Sequence, residues 1–192
     1  MEWKLFDGDQ SEYASKDWYE DRAAANHLDD MYHRERIIKA VDIVKLAINM
    51  GGSTVVDLGC GDGGILSLLK EQGIKAWGYD LMPTNIDYAK NVRMVDARLT
   101  DFSTDKIEYA DIAVMTETLE HMEDPHSIVK SLPCKYLVAS SPYNENDTNH
   151  YEYHLWAWDP DGYKKLFENN GYDVVEQHLV SGWSQVLLCV KN

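Results

Sequence analysis

With 192 residues, 44% of them hydrophobic, the chain has material for one good-sized core and too little for a cofactor domain plus a full second catalytic domain. Its 33 acidic residues against 18 basic ones leave a formal charge of −15, a field that repels a phosphate backbone and disfavours nucleic acid as a partner. The three cysteines (Cys60, Cys134, Cys189) form no C-x-x-C pair and suit reduced thiols, while neither the opening MEWKLFDGDQ nor any apolar run has the pattern of a signal peptide or a membrane span, so a cytoplasmic protein is expected.

In chain order, Met1 to about Asp30 is polar, aromatic and acidic without a clear period. It is expected to form an N-terminal flap, dividing the chain into residues 1–33 and a main domain at 34–192. From Arg34 onward, Ile37, Val41, Val44 and Ile48 recur at helical spacing, and Gly51-Gly52 supplies the stop. STVVDLG is a short β-branched strand leading into a glycine turn, and Ile65, Leu66, Leu68 and Leu69 mark a helix ending at Gly73. The alternation continues with KAWGYD as strand, PTNIDYAKN as helix, then VRMVDA and DIAVMTE as strands. Asp124-Pro125 opens the helix DPHSIVKSL, KYLVASSP is the fifth strand, and Asp159-Pro160 opens DGYKKLFENNG. DVVEQHLV and SQVLLCV, joined by SGW, close the chain as an antiparallel hairpin. This order predicts an α/β fold: a doubly wound, mostly parallel seven-stranded sheet with ligands at the carboxyl ends of its strands.

The turn VVDLGCGDGG carries Gly59, Gly61 and Gly64 in G-x-G-x-x-G spacing, which lets backbone approach a ligand closely. Asp80, ending the second strand, is placed for ribose hydroxyls, and equally for capping the helix after it. Dinucleotide and nucleoside cofactors share both features, so a nicotinamide-dependent reductase stays open at this point. Cys60 is expected to fill space within the turn.

Asp57 directly before Leu58-Gly59, VDA ending the third strand and ETLEH after the fourth together resemble the class I S-adenosylmethionine-dependent methyltransferases, particularly the ubiquinone-biosynthesis O-methyltransferase branch. The resemblance follows the element order from Val55 to Val190, with motif matches from Val55 to Pro125. It implies that Asp57, Gly59 and Gly61 hold the methionine portion of the cofactor. Asp80, with Leu81 beside it, would take the ribose; Asp96, with Ala97, would face the adenine amino group. Thr116 and Glu117 would lie beneath the sulfonium, and Tyr32 to Arg34 would close over the cofactor.

Glu117, Glu120 and His121 form E-x-x-E-H, whose spacing gathers the side chains on one face if the segment turns helical. Two carboxylates and an imidazole suit a divalent ion, completed by His150 or His154; the small-RNA 3′-end 2′-O-methyltransferases are similar here, but their next histidine is replaced by Met122. Without a metal, His121 is the candidate general base. Tyr143, Tyr151, Tyr153, Trp156 and Trp158 follow the fifth strand and either wall the substrate or pack beneath the next helix. Acidic Glu12, Asp17, Glu20 and Asp21 of the flap would favour a neutral or amine-bearing substrate.

The expected activity is methyl transfer from S-adenosylmethionine to a small-molecule acceptor, at a hydroxyl oxygen. The alternatives are an RNA 3′-end 2′-O-methyltransferase with a metal at E-x-x-E-H, a nicotinamide-dependent reductase, and a non-catalytic cofactor-binding protein.

Overall fold

The computed structural model describes residues 1–5 and 26–192, so the acidic flap positions Glu12, Asp17, Glu20 and Asp21 lie outside the described residues. Nine strands are described: β1 (Glu2–Lys4), β2 (Thr54–Leu58), β3 (Lys75–Asp80), β4 (Ala97–Leu99), β5 (Ile112–Thr116), β6 (Tyr136–Pro142), β7 (Trp156–Trp158), β8 (Tyr172–Val180) and β9 (Ser184–Lys191). Between them run α1 (Met31–Asn49), α2 (Gly64–Glu71), α3 (Pro83–Asn91), α4 (Pro125–Ser131) and α5 (Pro160–Glu168), with a 3-10 turn at Leu119–His121. No described helix is long and apolar enough to cross a membrane.

Seven strands form one sheet in the order β4-β3-β2-β5-β6-β9-β8. Pairing is parallel from β4 to β6 and antiparallel through β9 and β8. The order reverses between β2 and β5, which opens a crevice at their carboxyl ends, the place where doubly wound sheets bind ligands. Helix α1 begins where Asp30 accepts a hydrogen bond from the Tyr32 amide at 2.9 Å. Its Ile37, Val41 and Val44 pack with Val55, Ile112, Val114 and Val138 on one face of the sheet. Each such aliphatic side chain contributes about 1.5–3 kcal/mol by leaving water. On the other face, Met115, Leu137 and Leu187 meet Tyr163, Phe167 and Trp158.

Two details depart from the pattern read in sequence. The third strand of the sheet, expected at VRMVDA, starts only at Ala97, because Met94 turns the chain with φ 57° and ladder pairing with β3 begins at Gly78 and Ala97. A separate two-stranded sheet joins β1 to β7, whose Trp156 and Trp158 stack at 6.2 Å while buried Trp158 leans on Tyr163 of α5. Trp158 therefore packs beneath the following helix, while half-buried Trp156 lies between Trp158 and His126 of α4. The Glu2 carboxylate accepts from the Trp158 indole at 2.7 Å, seating the first residues on this side of the domain.

Candidate active site

β2 delivers the chain into the glycine turn, where Gly59 sits at φ +79°, a conformation that L side chains rarely adopt. A Cβ there would stand 2.8 Å from Thr118 Oγ1, so the turn and the loop after β5 approach too closely for any side chain. Asp80 ties this turn to β3. Its Oδ2 accepts from the Gly61 amide at 2.8 Å, and its Oδ1 from the Met82 amide at 2.8 Å and the Asn85 side chain at 3.1 Å. Burial pushes the Asp80 carboxyl up, against the pull of those donors. Asp80 thus holds the turn into the helix after it through Met82 and Asn85, without capping a helical amide, and also lines the cavity.

That cavity, of about 1230 Å³, lies over the carboxyl ends of β2, β3, β5 and β6. Of the residues anticipated from sequence, Asp57, Gly59, Gly61, Asp80, Leu81, Thr116, Glu117 and His121 all line it. Asp57 is 1% exposed, and its Oδ1 has no hydrogen-bond partner among the described residues. Desolvation and the nearby Asp80 raise its carboxyl to about 7. Asp62 differs: burial works against its charge, but bonds from His27 and Arg93 outweigh that and hold its carboxyl below the usual range.

Asp96 and Ala97 do not line the cavity. Asp96 lies before β4 and pairs with Arg98 at 2.9 Å on the surface. The cavity end nearest β4 is built instead by Thr100, Asp101, Phe102 and Ser103. The cause is the later start of β4: the residues that follow its carboxyl end are the ones that reach the crevice.

Helix α1 lies along the cavity. Arg36, 5% exposed, places its Nε 3.7 Å from Glu117 Oε1, a contact too long for a hydrogen bond, and that Nε has no hydrogen-bond partner among the described residues. Its Nη2 donates to His33 Nδ1 at 3.5 Å, and burial beside Arg36 lowers His33 to about 4, so the ring is neutral. Tyr32 stacks on Trp183 at 4.4 Å with ring planes 2° apart, and both line the cavity. Ser181 at the β8–β9 tip donates to Glu35 at 2.6 Å, fixing the hairpin to the first turn of α1.

Glu117 adopts φ 51°, a strained backbone for a side-chain-bearing residue. Its Oε1 accepts from Ser140 at 2.8 Å and Ser184 at 3.2 Å, so β6 and β9 together hold the carboxylate in place. The 3-10 turn behind it brings together Glu120, His121 and His154, with one ligand atom of each within 4.8 Å of the others. Glu120 is fully buried with neither carboxylate oxygen hydrogen-bonded among the described residues, and burial beside Glu117 drives its carboxyl well up. His121 Nδ1 donates to the Tyr153 carbonyl at 3.1 Å and His154 Nδ1 meets Glu145 at 2.6 Å. The carbonyl partner assigns the proton of the His121 ring to Nδ1 and makes its Nε2 an acceptor. Burial and the neighbouring His154 lower His121 to about 3. Glu117 and His150 stand outside this group; His150 is exposed at the cavity rim.

Residues 32–177 match the family model described as a methyltransferase domain. The chain belongs to this methyltransferase family. Over 95 residues it is 30% identical to the ubiquinone biosynthesis O-methyltransferase of Nitrosomonas europaea, covering 45% of this chain and 40% of that protein. It thus spans well under half the length of that relative. Among solved structures, magnesium protoporphyrin IX methyltransferase from Synechocystis PCC 6803, with bound S-adenosylhomocysteine, superposes with a TM-score of 0.75 at 16% identity, covering 92% of this chain and 98% of that one. The methyltransferase domain of bacterial CtHen1-C gives a TM-score of 0.67 at 18% identity, covering 84% and 99%. At such identities these two likenesses speak for the fold, a Rossmann-like methyltransferase sheet.

Within this methyltransferase, three cavity features escaped sequence reasoning. Arg36 was hidden in the helical run of α1, although a cation next to Ile37 on a buried face is itself a signal. Trp183 sits in the SGW link, which has the composition of an ordinary turn. Asp101 and Phe102 were masked by placing β4 too early.

Proposed function

We propose that this methyltransferase binds S-adenosylmethionine in the crevice and transfers its methyl group to a hydroxyl oxygen of a small-molecule acceptor. One observation carries the reading. Asp57 Oδ1 and Arg36 Nε, a buried acceptor and a buried donor without hydrogen-bond partners among the described residues, belong to side chains lining the cavity beside the glycine turn. An amino-acid zwitterion offers the matching ammonium and carboxylate, and burying such groups unpaired would otherwise cost about 1–3 kcal/mol each. Asp80 takes the ribose in this reading, and Asp101 with Phe102 assumes the adenine role first assigned to Asp96 and Ala97.

When bound, the sulfonium supplies an electrophilic methyl carbon and a neutral thioether leaving group. An acceptor hydroxyl held in line with that carbon would give up its proton to a residue lining the cavity or to water as it is methylated. Thr116 and Glu117 set the floor of the reacting space, and the strained Glu117 backbone aims its carboxylate at it. His121, held neutral by burial, presents an Nε2 lone pair that can accept the proton. At a pKa of about 3 His121 is a weak base, so alignment and exclusion of water carry most of the rate.

Glu120, His121 and His154 also fit a divalent cation: the donor set is one carboxylate and two imidazole Nε2 atoms, and the orphaned carboxylate has no hydrogen-bond donor among the described residues. Such an ion would lower the pKa of an acceptor hydroxyl. The decisive experiment is calorimetric titration of metal-stripped protein with S-adenosylhomocysteine and with NADH, the first repeated with Mg²⁺ and Mn²⁺. Micromolar binding of S-adenosylhomocysteine alone supports the proposal; binding of NADH without it sinks the proposal in favour of a reductase.

A further inference from the structure

The cofactor reading leaves a second half of the cavity to be explained, and the following rests on that reading. At about 1230 Å³ the cavity exceeds the range of about 300–1,000 Å³ usual for a single-ligand pocket, so a small second molecule fits beside the first. Its wall comes from the segment after β6, the 3-10 turn and the β8–β9 tip. Three properties of that wall constrain the occupant.

The first is polarity of a particular kind. Asn144, Glu145, Asn149 and His150 face the cavity from one loop, with Glu123 on the adjoining wall. Amide and carboxylate groups offer planar arrays of donors and acceptors, which suit several hydroxyls around a ring. Among the described residues, aliphatic surface in this half is confined to Met122 and Pro142. An apolar tail gains about 0.8 kcal/mol per methylene only where such surface receives it, and this wall has too little for a long chain.

The second is aromatic faces. Tyr151 projects from the same loop, and the parallel Tyr32–Trp183 stack stands on the α1 side. The carbon–hydrogen faces of a saturated ring pack against such planes while its rim hydroxyls reach the polar groups.

The third is charge. Glu117, Glu123 and Glu145 line this half, and Arg36 is the one guanidinium or ammonium among the described lining residues. A phosphate or carboxylate on the acceptor would meet repulsion; a neutral or amine-bearing molecule would not.

The loop is also built before any acceptor arrives. Asn146 Oδ1 accepts from the Thr148 amide at 2.9 Å and the Asn149 amide at 3.1 Å. Glu145 Oε1 accepts from the Tyr151 amide at 3.2 Å, and the Leu155 amide bonds to the Glu120 carbonyl at 2.7 Å. The side chains of Asn144 and Asn149 take no part in these bonds and remain available to a ligand, so little ordering entropy is left to be lost on binding.

We propose that the methyl acceptor is an uncharged or amine-bearing polyol of about one or two sugar rings, held between the Asn144–Tyr151 loop and the Tyr32–Trp183 stack. Methyl transfer would then take one hydroxyl of that ring to a methyl ether: the carbon–oxygen bond forms as the cofactor's carbon–sulfur bond breaks, the electron pair stays on sulfur to leave S-adenosylhomocysteine, and the hydroxyl proton passes to a lining base or to water.

The test is saturation-transfer NMR on the full chain with S-adenosylhomocysteine bound, using methyl glucoside, glucosamine, glucose 6-phosphate and a decyl-tailed catechol as probes. The first two are expected to receive saturation. Tyr151→Ala and Asn144→Ala should each weaken that signal at least fivefold while S-adenosylhomocysteine affinity stays within twofold. A signal for the phosphorylated or tailed probe equal to or above that of the polyols overturns the inference, as does no signal for either polyol, or polyol signals untouched by both variants. Failure of S-adenosylhomocysteine to bind overturns the underlying cofactor reading instead, which separates the two.

Discussion

The substitution Asp57→Asn is expected to stabilise the empty protein while weakening its grip on the nucleoside product. The carboxyl moves from 3.8 to about 7 because it is buried beside Asp80. A shift of that size corresponds to roughly 4 kcal/mol. The folded state holds the proton where the unfolded state has lost it, so stability falls as pH rises from about 4 to 7 and stays low above that. A carboxamide at this position would keep the shape without the titration. At pH 8 the variant should therefore gain up to about 4 kcal/mol, on the order of 10 °C in melting temperature for a chain of this length. At pH 4 the two proteins should nearly coincide. In the opposite direction, loss of the ammonium's charged partner should weaken S-adenosylhomocysteine roughly tenfold to hundredfold. Urea unfolding of both proteins from pH 4 to pH 8, with calorimetry at pH 8, reads all of this. Parallel pH profiles for the two proteins would refute the argument that Asp57 is a desolvated anion held for a cation.

Arg36→Met keeps the helix and much of the packing but removes the guanidinium of a side chain that lines the cavity; S-adenosylhomocysteine affinity should fall roughly tenfold to hundredfold by calorimetry, with a far smaller change in stability. Gly59→Ala combines a left-handed backbone with a Cβ 2.8 Å from Thr118 Oγ1, so it should cost at least about 1–2 kcal/mol in denaturant unfolding and reduce nucleoside binding as the turn is displaced. Mn²⁺ or Zn²⁺ should raise the melting temperature of the wild type, and Glu120→Gln should remove most of that rise; an unchanged metal response would take Glu120 out of the ligand set.

Much of this protein was legible along the chain because its signals are local. A β-branched run followed by glycines at fixed spacing specifies a strand and a tight turn through backbone sterics alone, and so β2, Gly59 and Gly61 could be placed without a structure. The repeated strand-and-helix order likewise implied a parallel sheet whose carboxyl ends meet, which put Asp57, Asp80, Thr116 and Glu117 in one crevice. What only the tertiary structure decided is which side chains from distant segments converge there. Arg36 faces Glu117 because α1 crosses the sheet at that angle, and Trp183 meets Tyr32 because the hairpin tip folds back onto the first helical turn. His154, rather than His150, joins Glu120 and His121 because Glu145 anchors its ring. Asp101, rather than Asp96, lines the cavity for a related reason: strand starts depend on where ladder hydrogen bonds begin, and that register is a property of the neighbouring strand.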